Sequence, residues 1–374
     1  MLYDRRIKLK LELLDYKNCI ANLPNSILKK FGVQTVGETL EVADKCLETD
    51  YKNIVVLLLD GMGTYILEKN LDKDGFLRSH FVESYNTVFP PTTVAATTSI
   101  ESGLQPVEHA WFGWDCYYPQ IDKNVTVFLN TEQGTKNQAA EYNVSRKYCD
   151  YKSLYKRLKD AGKNAGCSTP FVAPYPNSLD KVCNHIVELC KEEGNKYIYG
   201  YWNEPDTTMH KYGCYSKETK KILKRIENRL QRMCEELEDT LLIITADHGH
   251  VDGRNVCILD YPQILECLVR LPSIEPRALN LFVKEDKKAV FADLFNKEFG
   301  ADFMLLTKQE VYDSNLFGDG NKHINADGML GDYVAIAKTD LTIFNTYKEA
   351  NEFKGVHAGY TKEELTIPFI AVGK

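Results

Sequence analysis

Four short stretches of this chain set carboxylates, imidazoles and hydroxyls where they could hold metal ions. One reads Leu-Leu-Ile-Ile-Thr-Ala-Asp-His-Gly-His and places Asp247 and His248 directly after an apolar run. A second places Asp60 after the run Ile-Val-Val-Leu-Leu-Leu at 54–59. A third, Glu204-Pro205-Asp206-Thr207-Thr208-Met209-His210, spaces Asp206 and His210 four apart, so that one helical turn presents both on one face. The fourth is Thr92-Thr93, after Pro90-Pro91, and His357 arrives between glycines near the C-terminal end. Carboxylate and imidazole together are the donors that a hard-to-borderline divalent ion accepts.

Two sets follow from this spacing. Asp206, His210 and His357 would hold one ion and leave a coordination position open, as catalytic zinc sites do. Asp60, Asp247 and His248 would hold a second, with the Thr93 oxygen beside it. Zinc is the expected metal from the mixed ligation, and manganese or iron would also suit these donors. Three aspartates oppose the four positive charges of two divalent ions, and a deprotonated Thr93 brings the sum to about zero. Without cations, three crowded carboxylates are costly. A threonine hydroxyl is a poor nucleophile at neutral pH, but metal coordination lowers the pKa of a bound oxygen, for zinc-bound water from about 16 to about 7. Thr93, at a helix N-terminus that favours phosphoryl oxygens, could then form a covalent phospho-threonine for water to hydrolyse.

The elements that must position these residues alternate between strand-like and helix-like runs, which predicts an α/β fold. The run at 54–59 reads as a strand buried on both faces. A second strand is predicted from Val82 to Phe89, and a helix from Thr93 to Gly103, where glycine ends it. Further on, a helix over 152–162, a strand over 164–168, a helix over 177–193 and a strand over 196–202 precede a charged helix over 216–239. On the last, Ile222, Ile226, Leu230, Met233 and Leu237 mark one apolar face. Residues 253–325 differ in character. A strand at 280–283, a helix at 287–298 and a strand at 303–306 read as a small βαβ-like unit with no ligand at a strand end. The expected organisation is a metallohydrolase core over 1–252 and 326–374 with an inserted cap lobe over 253–325.

The chain has 374 residues, with 46 basic and 53 acidic side chains for a net charge of -7. That balance argues against a protein built to grip a nucleic-acid polymer. The N-terminal 15 residues alternate charged and apolar side chains and so do not read as a signal peptide, and no stretch has the apolar length to cross a bilayer. Eleven cysteines without a Cys-x-x-Cys pair suggest reduced thiols in a cytoplasm.

Leu-Leu-Asp-Gly-Met-Gly, Phe-Pro-Pro-Thr-Thr-Val-Ala-Ala-Thr-Thr-Ser, Glu-Pro-Asp-x-x-x-His-x-x-Gly, Ala-Asp-His-Gly and Gly-x-His-x-Gly occur here in one order. As an ordered set they resemble the alkaline phosphatase superfamily, most closely its type I phosphodiesterase/nucleotide pyrophosphatase branch, over roughly 54–370. The resemblance implies a largely parallel central sheet between helix layers, two zinc ions and a threonine nucleophile. Motif matching puts Asp206, His210 and His357 on one zinc, Asp60, Asp247 and His248 on the other, and selects Thr93 over Thr92, which could cap the helix. One departure stands out. Where the branch has an asparagine that helps bind the phosphoryl oxygen, this chain has Trp114.

The expected function is a cytoplasmic dinuclear zinc hydrolase acting on a small phosphorylated substrate, a phosphodiester or nucleotide pyrophosphate, with no membrane or nucleic-acid partner. A phosphomonoesterase or phosphonate hydrolase is the alternative. No arginine lies near the nucleophile motif to neutralise a monoester, which favours diesters. A mutase-like isomerase would need a donor-phosphate pocket in the cap, and an idle metal-binding scaffold would be expected to have lost a ligand. Several residues have undecided roles on sequence alone. His250 and Asp252 are either partners of the metal ligands or surface groups, and His323 is a possible substrate contact. Trp111, Phe112, Trp114, Tyr117 and Tyr118 are either core or a wall against an aromatic leaving group.

Overall fold

A computed structural model describes residues 12–374. The N-terminal reading therefore lies, for residues 1–11, outside the described residues. Two sheets dominate. The first has six strands, in the spatial order Phe81–Asn86, Thr366–Gly373, Thr240–Thr245, Asn53–Leu59, Lys196–Trp202, Asn164–Ser168. The last four are mutually parallel, and Thr366–Gly373 runs antiparallel to both its neighbours. Asn53–Leu59 is buried at every residue, as its uninterrupted apolar sequence requires of a central parallel strand. Helices flank this sheet. Leu179–Lys191 and the long Lys217–Glu235 pack on one another, the latter burying Leu223, Ile226, Leu230 and Met233. This is the α/β architecture expected, a largely parallel sheet between helix layers.

The predicted strand Val82–Phe89 is shorter, Phe81–Asn86, because the chain turns from the sheet before the two prolines, with the Thr87 N–H already bonded to the Leu365 carbonyl. The charged helix ends at Glu235, so Leu237 packs from the connection beyond it.

The second sheet has seven strands, all antiparallel, in the order Phe303–Thr307, Tyr333–Ala337, Ala278–Leu281, Ser273–Glu275, Asp115–Tyr118, Lys123–Thr126, Thr131–Glu132. The expected βαβ-like unit is split here. Ala278–Leu281 and Phe303–Thr307 do not pair with each other, because Tyr333–Ala337 inserts antiparallel between them. Helix Lys288–Phe299 covers the sheet with Phe291, Phe295 and Phe299 at spacing four. The sheet takes strands both from within 253–325 and from outside it, so a continuous ladder crosses that stretch's boundaries.

One buried ion pair fastens this sheet to the C-terminal segment. Arg277, just before Ala278–Leu281, reaches Glu364 with Nε 2.7 Å from Oε1 and Nη2 2.8 Å from Oε2, both side chains fully buried. Its remaining N–H groups donate to the Thr339 and Leu341 carbonyls, while Glu364 also accepts from the Gly359 N–H and the Thr361 hydroxyl. Breaking such a pair from one side strands a buried charge. Arg277→Ala is expected to lower the unfolding free energy by about 3–5 kcal/mol in urea titrations. A loss under about 1 kcal/mol would mean that water replaces the guanidinium.

The helix Thr93–Ser102 is built from short side chains, almost all buried, which lets it sit deep between the sheets. His109 clamps its far end. Its Nε2 lies 3.1 Å from Ser99 Oγ, and its Nδ1 accepts from the Trp111 N–H at 3.0 Å, so it is neutral and holds the turn rather than a metal. Burial lowers its pKa from 6.5 to about 3, and His323 adds to this. The unfolded chain therefore binds the extra proton first. Stability is expected to fall as pH drops from 6.5 towards 3, by on the order of 4 kcal/mol from this group, and to be unaffected by it above that window. Urea melts of wild type and His109→Gln between pH 7 and pH 4 check this, the variant losing less on acidification. Equal slopes would remove His109 as the cause.

Candidate active site

The three proposed aspartate ligands and His248 leave the carboxyl ends of central strands or the loops just beyond them. Asp60 follows Asn53–Leu59, Asp206 follows Lys196–Trp202 and opens helix Asp206–Tyr212, and Asp247 and His248 follow Thr240–Thr245. These strands are adjacent and parallel in register, which brings the three aspartates to one edge. His357 comes from far along the chain, placed by a two-residue ladder of Gly355–Val356 against Val251–Asp252. The Asp60 and Asp247 loops touch through glycines. A Cβ on Gly63 would stand 2.4 Å from the Gly249 Cα, and one on Gly249 would stand 1.9 Å from the Glu363 carbonyl oxygen, so neither tolerates a side chain.

The geometry forms two donor groups that share His248. Asp60, Asp247 and His248 each offer a donor atom within 4.8 Å of the others. Asp206, His248, His250 and His357 do the same. His210 stands outside that second grouping, yet its Nε2 is 3.2 Å from Asp206 Oδ1. Three imidazoles share one arrangement. His210 Nδ1 faces the Gly355 carbonyl at 2.8 Å, His357 Nδ1 the Pro91 carbonyl at 3.0 Å and His248 Nδ1 the Gly249 carbonyl at 3.1 Å. A proton held at Nδ1 by a carbonyl leaves the Nε2 lone pair free, the orientation in which histidine ligates metals.

His250 differs. It is fully buried, its Nε2 lies 2.7 Å from Asp206 Oδ1, and its Nδ1 has no hydrogen-bond partner among the described residues. Donating its Nε2–H fixes the Asp206 carboxylate, the orienting role that the sequence left open. Asp252 instead accepts from the Cys214 N–H and holds that loop.

The donor set fits cations. Asp247 Oδ1 accepts from the Gly61 and His248 N–H groups, while Oδ2 is buried with no partner among the described residues. Burial and the neighbouring Asp60 carboxylate hold the Asp247 carboxyl well above its usual range. Burial alone would lower His248, but Asp247 and Asp60 outweigh it and push it up to about 10. Both shifts express uncompensated negative charge that a proton or a metal must balance. Burial would also raise Asp206, yet His210 and His250 hold it well below the usual carboxylate range.

Thr93 is the first residue of its helix, and its Oγ1 lies 3.4 Å from Asp60 Oδ1 and 3.3 Å from His248 Nε2. Thr92 occupies the cap position but makes no capping bond. Its hydroxyl donates to Glu275 Oε1 at 2.6 Å instead. All seven proposed residues thus gather around one cluster, joined by two that sequence reading missed. Tyr201, from the strand Lys196–Trp202, donates its hydroxyl to Asp60 Oδ2. Only its place near that strand's end hinted at it. Glu275 comes from the second sheet and carried no sequence signal.

A cavity of about 290 Å³ opens onto Thr93, Asp206, His210 and His357. Of the five aromatics after the helix Thr93–Ser102, only Trp114 lines it. Trp111, Phe112 and Tyr118 are core residues, and Tyr117 packs on Phe282. His323 does not line it.

The family model for type I phosphodiesterase/nucleotide pyrophosphatase matches residues 54–360. The chain belongs to that family. Among curated members, venom phosphodiesterase 2 of Crotalus adamanteus is 25% identical over 252 residues, a stretch covering 57% of this chain and 30% of the venom protein. This type I phosphodiesterase-family chain therefore matches under a third of that relative's length. A solved structure of murine ectonucleotide pyrophosphatase/phosphodiesterase 5, an inactive threonine-to-alanine variant in complex with AMP, superposes with TM-score 0.65 at 18% identity, covering 87% of this chain and 88% of that one. Phosphonoacetate hydrolase from Sinorhizobium meliloti 1021, in complex with phosphonoformate, superposes with TM-score 0.62 at 13% identity, covering 85% and 89%. At these identities the two structures share the fold of this family member.

Proposed function

We propose that this chain is a dinuclear zinc-dependent hydrolase of phosphodiester or nucleotide pyrophosphate bonds, acting through a covalent phospho-threonine at Thr93. The observation that carries the reading is the Thr93 hydroxyl, which touches Asp60 and His248 of one donor group and shares a cavity wall with Asp206, His210 and His357 of the other. Family membership supports diester or pyrophosphate cleavage. Asp206, His210 and His357 would hold one ion, and Asp60, Asp247 and His248 the other. Bound there, divalent ions supply Lewis acidity towards phosphoryl and hydroxyl oxygens.

The protein's own groups do the rest. Thr93 Oγ1 forms the new bond to phosphorus while the leaving alcohol departs, and water later cleaves the phospho-threonine. Asp60 Oδ1 already accepts the Thr93 hydrogen bond, and Tyr201 holds the other Asp60 oxygen in place. His250 does the same for Asp206. Among the described residues no helix is long and apolar enough to cross a membrane, and all eleven cysteines are unpaired. The free thiols support a reducing, cytoplasmic setting.

Metal-replete protein is expected to cleave bis(p-nitrophenyl) phosphate faster than p-nitrophenyl phosphate, by about tenfold or more in kcat/KM. The reason is electrostatic, since among the described residues no lysine or arginine lines the cavity to meet a monoester's second charge. Preferential monoester or phosphonate cleavage would shift the assignment to those substrates, and phosphate transfer without release would shift it to a mutase.

A further inference from the structure

The cavity beside Thr93 has an unusual lining for a phosphate-handling site. Besides Asp206 of the donor cluster, Glu275, Asp115 and Glu349 face it, and among the described residues neither lysine nor arginine does. The antiparallel pairing of Ile274 with Asp115 brings the strands that carry Glu275 and Asp115 together, and both residues line the same cavity. Glu275 is 9% exposed, and Oε1 takes both of its hydrogen bonds, from Thr92 at 2.6 Å and the Trp114 N–H at 2.8 Å. Its Oε2 accepts none among the described residues, and it is not sealed from the cavity as the orphaned Asp247 oxygen is. Among the described residues Asp115 takes side-chain bonds from Thr126 and Gln133 only, and Glu349 from the Thr346 hydroxyl. No salt bridge among the described residues reaches any of the three.

The remaining walls are apolar and aromatic, with Trp114, Phe344 and Phe353 among them. Trp114 is 41% exposed and braced edge-on by Phe128, so a ring face is available to a ligand. Burial, with the Asp115 charge adding to it, lifts Glu275 to about 7, and burial likewise raises Asp115. Both carboxyls thus sit where negative charge lacks compensation. An anionic group placed here would meet three carboxylates, whereas a cation would meet carboxylates and ring faces together, the two partners organic ammonium ions prefer.

We propose that this cavity is a subsite for an ammonium-bearing alcohol moiety of the substrate, with Glu275 and Asp115 as the recognising carboxylates and Trp114 as an aromatic wall. This rests on the phosphodiesterase reading above and narrows its substrate class. Diesters whose alcohol ends in a quaternary or primary ammonium group are accepted, and substrates whose corresponding moiety is a phosphate chain are disfavoured.

The test uses the metal-replete full chain and three diesters that all release p-nitrophenol. Their second alcohol carries a trimethylammonio group, its uncharged tert-butyl isostere or a carboxylate. The cationic diester is expected to exceed its isostere by about tenfold in kcat/KM, chiefly through KM, and the carboxylate to fall below both. Glu275→Gln keeps an acceptor for Thr92 and Trp114, and Asp115→Asn provides an independent variant. Each should shrink the cationic-to-neutral ratio to threefold or less. A ratio near one in wild type, or ratios unchanged in both variants, overturns the subsite. Should no diester be cleaved, the hydrolase reading fails separately. The subsite is then judged by calorimetric binding of the uncleaved cationic and neutral diesters, where equal affinities overturn it.

Discussion

Thr93→Ala is expected to lower kcat on diesters by roughly 10⁴-fold or more while leaving both metals bound and the fold intact. The effect is large because the hydroxyl is the atom proposed to bond phosphorus, and no neighbour can stand in for it. Thr92 points elsewhere, its hydroxyl committed to Glu275. The fold should tolerate the change. Thr93 is only partly buried, its side chain makes no capping bond, and alanine has a high helix propensity. Three measurements decide it: turnover, metal content by elemental analysis, and the melting temperature. Acid-quenched wild type should also carry phosphate on the peptide containing Thr93. A Thr93→Ala protein with full hydrolysis would remove the covalent mechanism and leave the metal assignment standing. Thr92→Ala with the larger loss would transfer the nucleophile's role to its neighbour.

Asp247→Ala is expected to be nearly as damaging, by a different route. It removes one of two carboxylates in the group formed with His248, so the bound metal should fall from two ions towards one, and activity by roughly 10³-fold or more. It also strands the Gly61 and His248 N–H groups, both buried and both bonded to Asp247 Oδ1, at a cost of about 1–3 kcal/mol each. Asp247→Asn separates these effects, since it retains an acceptor for the N–H groups but removes the charge. It should recover much of the stability without the metal. Chelation should mimic the loss of both ions, and the melting temperature should fall because a ligand bound only to the folded state stabilises it by mass action. Carboxylate and imidazole donors must be deprotonated to bind metal, so affinity should weaken as pH falls. A chelated protein with unchanged melting temperature and unchanged turnover would sink the two-ion site.

The linear chain was most informative where local chemistry is self-sufficient. Residues 54–59 read as a strand buried on both faces because an uninterrupted apolar run bounded by polar turns leaves few other solutions, and the expected strands at 164–168 and 196–202 coincide with the observed ones. The end of the helix Thr93–Ser102 was readable from local sequence too, since Gly103 adopts φ 78 where a residue with a side chain would be strained. Boundaries were lost where the deciding partner is remote. The Leu365 carbonyl binds Thr87 and marks where the predicted 82–89 strand stops short, and Tyr333–Ala337 splits the expected βαβ-like unit by pairing between its two strands.

The residue types of the donor cluster and the strand-end positions of its aspartates were legible in the amino-acid order alone, because each aspartate follows an element whose pattern is local. Their convergence was not. His357 reaches the cluster through a two-residue ladder with Val251–Asp252, His250 becomes the partner of Asp206 only once both loops are folded, and Tyr201 meets Asp60 across adjacent strands. Glu275 is the extreme case, brought to Thr92 from 183 positions away by a sheet that sequence periodicity did not foretell. Side-chain chemistry is a property of single residues and short spacings, whereas selectivity for a substrate depends on which distant surfaces are pressed together, and only the packed fold decides that.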